Sequence, residues 1–186
     1  MSYTQAEKLQ ILMLCDIHRA LKIRDSVDPS FIEDALLTEN TWAIGFRYQS
    51  LNDGNGMPRH VTFVGDVADM YSILQYTYNN FDESEKAEIA SSVPNFKGES
   101  SLVFPGFDGN NETEYLSAAD MFKRMERFED IDITKNSHAP YVATYKRMLD
   151  VFIPARNDDW THDAGISKDS FVAVLNARIH PSNRGV

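Results

Sequence analysis

The side chains most able to do chemistry in this 186-residue chain gather in two short stretches. In the first, Asp108-Gly109-Asn110-Asn111-Glu112-Thr113-Glu114, oxygen-bearing side chains recur as they do at the start of an EF-hand calcium loop. The match fails where calcium is most demanding. Thr113 stands where the sharp turn needs glycine, and Ala119 stands where a bidentate glutamate should close the loop. The better reading is a turn whose Asp and Asn side chains satisfy orphan backbone donors and open a helix, with Asn110 or Asn111 as its N-cap. The second stretch, Asn157-Asp158-Asp159-Trp160-Thr161-His162-Asp163, sets carboxylates beside an imidazole, the pairing used in acid–base catalysis or metal binding. Asx-rich stretches are more often turns and caps. The candidate functional residues are therefore Asp108, Asn110, Asn111 and Glu114 in the first stretch, and Asp159 and His162 in the second.

Other groupings carry less. Cys15 and His18 lie one helical turn apart and offer two metal ligands, where zinc takes three or four. Cys15 also sits among apolar residues, where an inert buried thiol is the rule. Glu126, Glu129, Asp130 and Asp132 read as a solvated acidic face. The chain has no P-loop, nucleophile elbow or HExxH motif, and Gly54-Asn55-Gly56 leads to Arg59 and not to the third glycine of a dinucleotide fingerprint. No metal and no cofactor is expected.

Composition narrows the class. A hydrophobic fraction of 42% and a charged fraction of 25% are those of an ordinary globular protein with a core of its own. The single cysteine forbids an internal disulfide and fits a reducing compartment. The apolar run Ile11 to Cys15 is too short for a secretory signal, and nothing approaches a membrane span. A formal net charge of -10 disfavours nucleic acid and anionic lipid, both of which repel such a surface. The charge is uneven. Residues 82–120 hold nine acidic and two basic side chains, a net of -7, whereas 121–156 hold five acidic and seven basic, a net of +2.

The elements that must position these residues are helical. Thr4 and Glu7 form a capping box, and Leu9, Leu12, Met13, Ile17, Ala20 and Leu21 follow at helical spacing to about Lys22. Asp28-Pro29 opens a second helix with Phe31, Ile32, Ala35 and Leu36 on one side. The spacing predicts further helices over Trp42 to Tyr48, His60 to Phe81 and, behind an Asp82/Glu85 capping box, to Ser91. Ser92 to Val103 reads as loop. A helix is expected from Asn110 or Asn111 to about Phe128, and another from Pro140 to Ile153-Pro154, where proline should end it. A last helix is expected from Lys168 to Ile179. With no persuasive pair of strands, the sum is an all-α single globular domain of six or seven helices over residues 1–186, with 182–186 a disordered tail.

Four stretches in order resemble the YfbU family of bacterial proteins: Ala6-Glu7-Lys8-Leu9-Gln10-Ile11-Leu12, Asp66-Val67-Ala68-Asp69-Met70-Tyr71-Ser72-Ile73-Leu74, Phe104-Pro105-Gly106-Phe107-Asp108-Gly109-Asn110-Asn111-Glu112-Thr113-Glu114-Tyr115-Leu116, and Tyr145-Lys146-Arg147-Met148-Leu149-Asp150-Val151-Phe152. The resemblance implies a helical bacterial protein and brings no catalytic residues with it. The expected function is that of a non-enzymatic interaction or regulatory protein of the bacterial cytoplasm. It would act through helix-face contacts with a protein partner or with itself as a homodimer, without membrane or nucleic acid. The competing expectation is a hydrolase-like enzyme with its site around Asp108–Glu114 or Asp158–Asp163. The basic group Lys123, Arg124, Arg127, Lys146 and Arg147 would serve a nucleic-acid binder, the reading the total charge most opposes.

Overall fold

The computed structural model describes residues 3–52, 54–161, 163–180 and 182. Among them 64% are helical and none lies in a strand. Eight α-helices form, in place of the six or seven expected. They are α1 (Gln5–Leu21), α2 (Pro29–Leu37), α3 (Trp42–Arg47), α4 (Arg59–Asn80), α5 (Glu83–Ser92), α6 (Thr113–Arg124), α7 (Val142–Asp159) and α8 (Lys168–Ala177). Short 3₁₀ turns stand at Gln49–Leu51 and Gly98–Leu102, the second inside the stretch expected to be loop.

Local chemistry sets most of the boundaries. The Thr4 hydroxyl accepts from the Glu7 N–H at 3.2 Å while the Glu7 carboxylate accepts from the Thr4 N–H at 2.7 Å, closing the capping box at α1. The Asp28 carboxylate accepts from the Ser30 and Phe31 N–H groups ahead of α2, whose first residue is Pro29. Asp82 and Glu85 repeat the box at α5.

Three expected boundaries are corrected. The N-cap of α6 is Glu112, not Asn110 or Asn111. Its end is Arg124, not Phe128, because Glu126 and Phe128 adopt left-handed backbone at φ 57° and 58° and swing the Phe128 ring onto Phe122, 5.4 Å between centroids. The third correction is at Pro154, which does not end α7. The helix runs five residues further, to Asp159. Pro154 and Asp150 both lie on the exposed side, so the Asp150 carbonyl left without its helical partner faces water. On the other side Phe152 and Ala155 are buried, and Arg156 reaches Asp69 at 3.5 Å and Asp66 at 3.8 Å on α4. The tertiary contacts of the last turns outweigh the missing hydrogen bond. The expected tail lies outside the described residues apart from Ser182.

The core has two parts. The larger is built around α4, whose Val64, Val67, Tyr71 and Leu74 are buried against α6, α7 and α8. The smaller lies between α1, α2 and α3, with Cys15, Phe31, Leu36 and Ile44 at its centre. They are joined at α6: Met121 belongs to the smaller cluster, and Trp42 sits 5.2 Å from Phe122 of the larger. Buried Asn40 adds a polar tie, donating to the Ser117 hydroxyl at 2.7 Å and accepting from the Trp42 indole at 2.9 Å.

Pro154→Ala should raise the stability of the chain, by at most the ~3 kcal/mol that separates the two residues in a helix interior. A urea-unfolding midpoint that does not move would show that the helix gains nothing from the restored N–H.

Candidate functional site

Phe104 to Glu112 is a loop folded into a largely buried knot, from which Asn110 and Asn111 stand out. Phe104 and Phe107 flank Pro105-Gly106 and both turn inward, their rings 5.6 Å apart. Tyr145 of α7 packs on both rings, and its hydroxyl donates to the Gly106 carbonyl at 2.7 Å. Gly106 has φ 103°, and a Cβ added there would stand 2.1 Å from the Lys135 carbonyl oxygen, so no other residue fits. The Phe107 N–H donates to that same carbonyl at 3.1 Å, and the Ser137 N–H donates back to the Phe107 carbonyl at 3.1 Å.

At the end of the knot lies a residue outside the six candidates, though inside the first acidic stretch. Glu112 is buried, and its carboxylate accepts from three backbone donors: the Asp108 N–H at 3.0 Å, the Tyr141 N–H at 2.8 Å and the Val142 N–H at 2.7 Å. One side chain thus closes the turn before α6 and caps the N-terminus of α7, where its negative charge also meets the positive end of the helix dipole. Its spacing to the turn was readable. Its bond to a helix thirty residues on was not, because α7 carries no capping residue of its own to mark the need.

The six candidate residues are placed as follows. Asp108 is buried, and its carboxylate accepts from the Asn111 side-chain amide and from the Asn110 N–H at 3.0 Å. Those two bonds, the Asn111 amide foremost, hold its carboxyl below the usual carboxylate range, with His138 assisting. Asn110 and Asn111 are exposed, and Asn110 contributes through its backbone. Glu114 is exposed on the first turn of α6. Asp159 lies elsewhere, at the end of α7. Its carboxylate accepts from the Ser170 hydroxyl at 2.9 Å and the Ser167 N–H at 3.2 Å at the start of α8. Burial pushes that carboxyl up, but the bonds from Ser167 and Ser170 outweigh it and leave it below the ordinary range. His162 lies outside the described residues. Asp108 and Asp159 therefore serve two different joints: Asp108 is occupied by a backbone and an amide donor, whereas Asp159 takes its donors on Oδ2 and leaves Oδ1 buried with no partner among the described residues. Among the described residues no three His, Cys, Asp or Glu side chains converge as a metal would need.

The other groupings resolve similarly. Cys15 is buried and its thiol is pushed up, first by burial and then by Glu33, away from the reactive thiolate. In the basic group, Arg124 pairs with Asp120 at 3.0 Å and with Asp34, and Arg147 donates to the carbonyls of Ala143, Ala177 and Arg178. These two cations are engaged within the fold.

What the fold leaves uncovered is one face of α1. Cys15 is its only buried residue. Leu9, Met13, Leu14, Ile17 and Leu21 stand on the opposite side with half or more of each side chain exposed, from 50% at Ile17 to 68% at Leu21. With Ala6 and Ala20 they fall in one arc of the helix, which Gln10 interrupts between Ile17 and Leu21. Along the edge of this arc a largely apolar cavity of about 290 Å³ opens between Leu14, His18, Val27 and Leu51, with Cys15 at its floor. The Nε2 atom of His18 is buried there without a hydrogen-bond partner among the described residues.

The YfbU domain model matches residues 1–177, and the chain belongs to the YfbU family. A comparison with curated proteins finds no match.

Glu112→Gln should cost about 2–3 kcal/mol, because an amide nitrogen cannot accept and leaves a buried N–H unpaired. Phe107→Ala should cost roughly 3–5 kcal/mol, whereas Asn110→Ala should stay within about 0.5 kcal/mol, its side chain lying outside the bonds that close the knot. Denaturant melts of the three variants check this order. Because the folded Asp108 carboxyl is depressed, its stabilisation is complete above its unfolded value near pH ~3.9 and is lost as pH falls through the lower folded value. Asp108→Asn should flatten that acid limb of a stability-against-pH curve and leave its shape near neutrality alone.

Proposed function

We propose that this YfbU-family chain is a non-enzymatic interaction protein of the bacterial cytoplasm whose working surface is the apolar face of α1. The observation that carries the reading is the row Leu9, Met13, Ile17 and Leu21, with Leu14 beside it, five large apolar side chains left exposed on one helix. Monomers seldom carry a contiguous apolar patch beyond a few hundred Å², and larger ones mark interaction surfaces. The carboxylates that an enzyme would need support the same reading from the other side: Asp108 and Glu112 are already engaged by donors within the fold, and Asp159 is engaged through one of its oxygens. No helix among the described residues is long and apolar enough to cross a membrane.

Covering a half-exposed Leu, Ile or Met is worth roughly 1 kcal/mol, half the value of full burial. Ile17→Lys combined with Met13→Lys should therefore weaken any association through α1 by about a hundredfold or more. The isolated chain should keep its stability within about 0.5 kcal/mol, since both side chains are exposed. Light scattering over a range of concentrations and capture from a bacterial lysate, each with wild type and variant, measure the effect. A wild-type chain that stays monomeric throughout and captures the same proteins as the variant overturns the reading.

A further inference from the structure

We infer that the occupant of the α1 face is a second copy of this chain, the two α1 helices packing antiparallel about a two-fold axis so that Leu9 of one copy meets Leu21 of the other and Met13 meets Ile17. The inference rests on α1 being the working surface and names what covers it.

The stripe fits itself. Its large apolar side chains recur every four residues, at 9, 13, 17 and 21, so reversing the helix about the midpoint lays each of them on another of the set. A two-fold contact of this kind uses one patch on both copies and closes after two. Five large side chains from each copy, extended at the edge by Val27 and Leu51, bring the contact to on the order of 1,000 Å², where specific interfaces begin.

Charge selects both the partner and the direction. Residues 1–28 hold four acidic side chains (Glu7, Asp16, Asp25 and Asp28) and four basic ones (Lys8, Arg19, Lys22 and Arg24), a net of zero. The whole net charge of -10 therefore lies in the remainder. Two copies repel each other over most of their surfaces and approach freely through this neutral one. A basic partner would be drawn to the acidic stretch 82–120, and an anionic lipid surface would be repelled by the whole. Along α1, Glu7 precedes the apolar stripe, while Lys22 and Arg24 follow it. Antiparallel packing sets Glu7 towards the C-terminal end of the other copy's α1, where Lys22 caps the helix, and opposes the helix dipoles favourably. Parallel packing would stack Glu7 on Glu7 and cation on cation.

Sedimentation velocity of the full chain tests the pairing, and coupling by a short bis-maleimide tests the direction. The expected result is a concentration-dependent dimer that Ile17→Lys weakens at least about tenfold. In a Cys15→Ala background, Leu9→Cys should couple to Leu21→Cys, while each of the two alone stays largely uncoupled, since antiparallel packing holds identical end positions about 18 Å apart along the axis. A dimer in which each variant couples to itself overturns the antiparallel arrangement. A chain that remains monomeric at every concentration overturns self-pairing altogether. If that monomer still captures another protein through α1, or binds phosphatidylglycerol vesicles through it, this inference falls. In the first of those cases the reading of α1 as a protein-docking surface stands.

Discussion

The carboxylate of Glu112, closed off from water, takes the N–H groups of Asp108, Tyr141 and Val142, and through them it joins three parts of the fold. The Phe104–Asp108 turn, the start of α6 and the start of α7 all converge on its two oxygens. A buried carboxylate is costly unless each lone pair is used, and a buried helix N-terminus is costly unless its free N–H groups are accepted. Each need answers the other here. The aromatic cluster of Tyr71, Phe104, Phe107 and Tyr145 is built on that joint, because the Tyr145 hydroxyl reaches the Gly106 carbonyl only when α7 begins where Glu112 holds it.

This joint also explains why the segment richest in functional-looking residues is engaged elsewhere. Asp108 is oriented by Asn111 and by its own turn, and Asp159 does the same service between α7 and α8 with Ser167 and Ser170. Both carboxyls are held ionised by hydrogen bonds that stabilise the charged form, and neither is poised near neutrality as a general acid or base would be. Asp108, Glu112 and Asp159 act as connectors.

The packing of α1 contrasts with that of α4. The long helix buries nine side chains and is enclosed on several sides, whereas α1 touches the body along one edge, through Cys15, Ile11 and the ion pairs of Arg19 with Glu33 and Lys8 with Glu39. It carries apolar residues on two sides, and one chain covers only one of them. The same pattern that makes α1 a helix therefore makes it a surface.

Most of the helices were legible because their causes are local. A Thr4/Glu7 or Asp82/Glu85 box, a proline at the first helical position and a 3.6-residue apolar period act within a few residues and are read directly from the chain. The end of α7 was not legible: Pro154 is a local stop signal, overridden by Phe152, Ala155 and Arg156 finding distant partners. Nor was the role of Glu112, since nothing near it in sequence announces that Tyr141 and Val142 will need an acceptor. By itself the sequence determined that the chain is helical, acidic and of this family, for these follow from composition, capping and recurring stretches. Only the tertiary structure decided which carboxylates are engaged and which apolar face stays open. Periodicity tells that a helix has an apolar side, while what covers that side depends on chain segments far away in sequence.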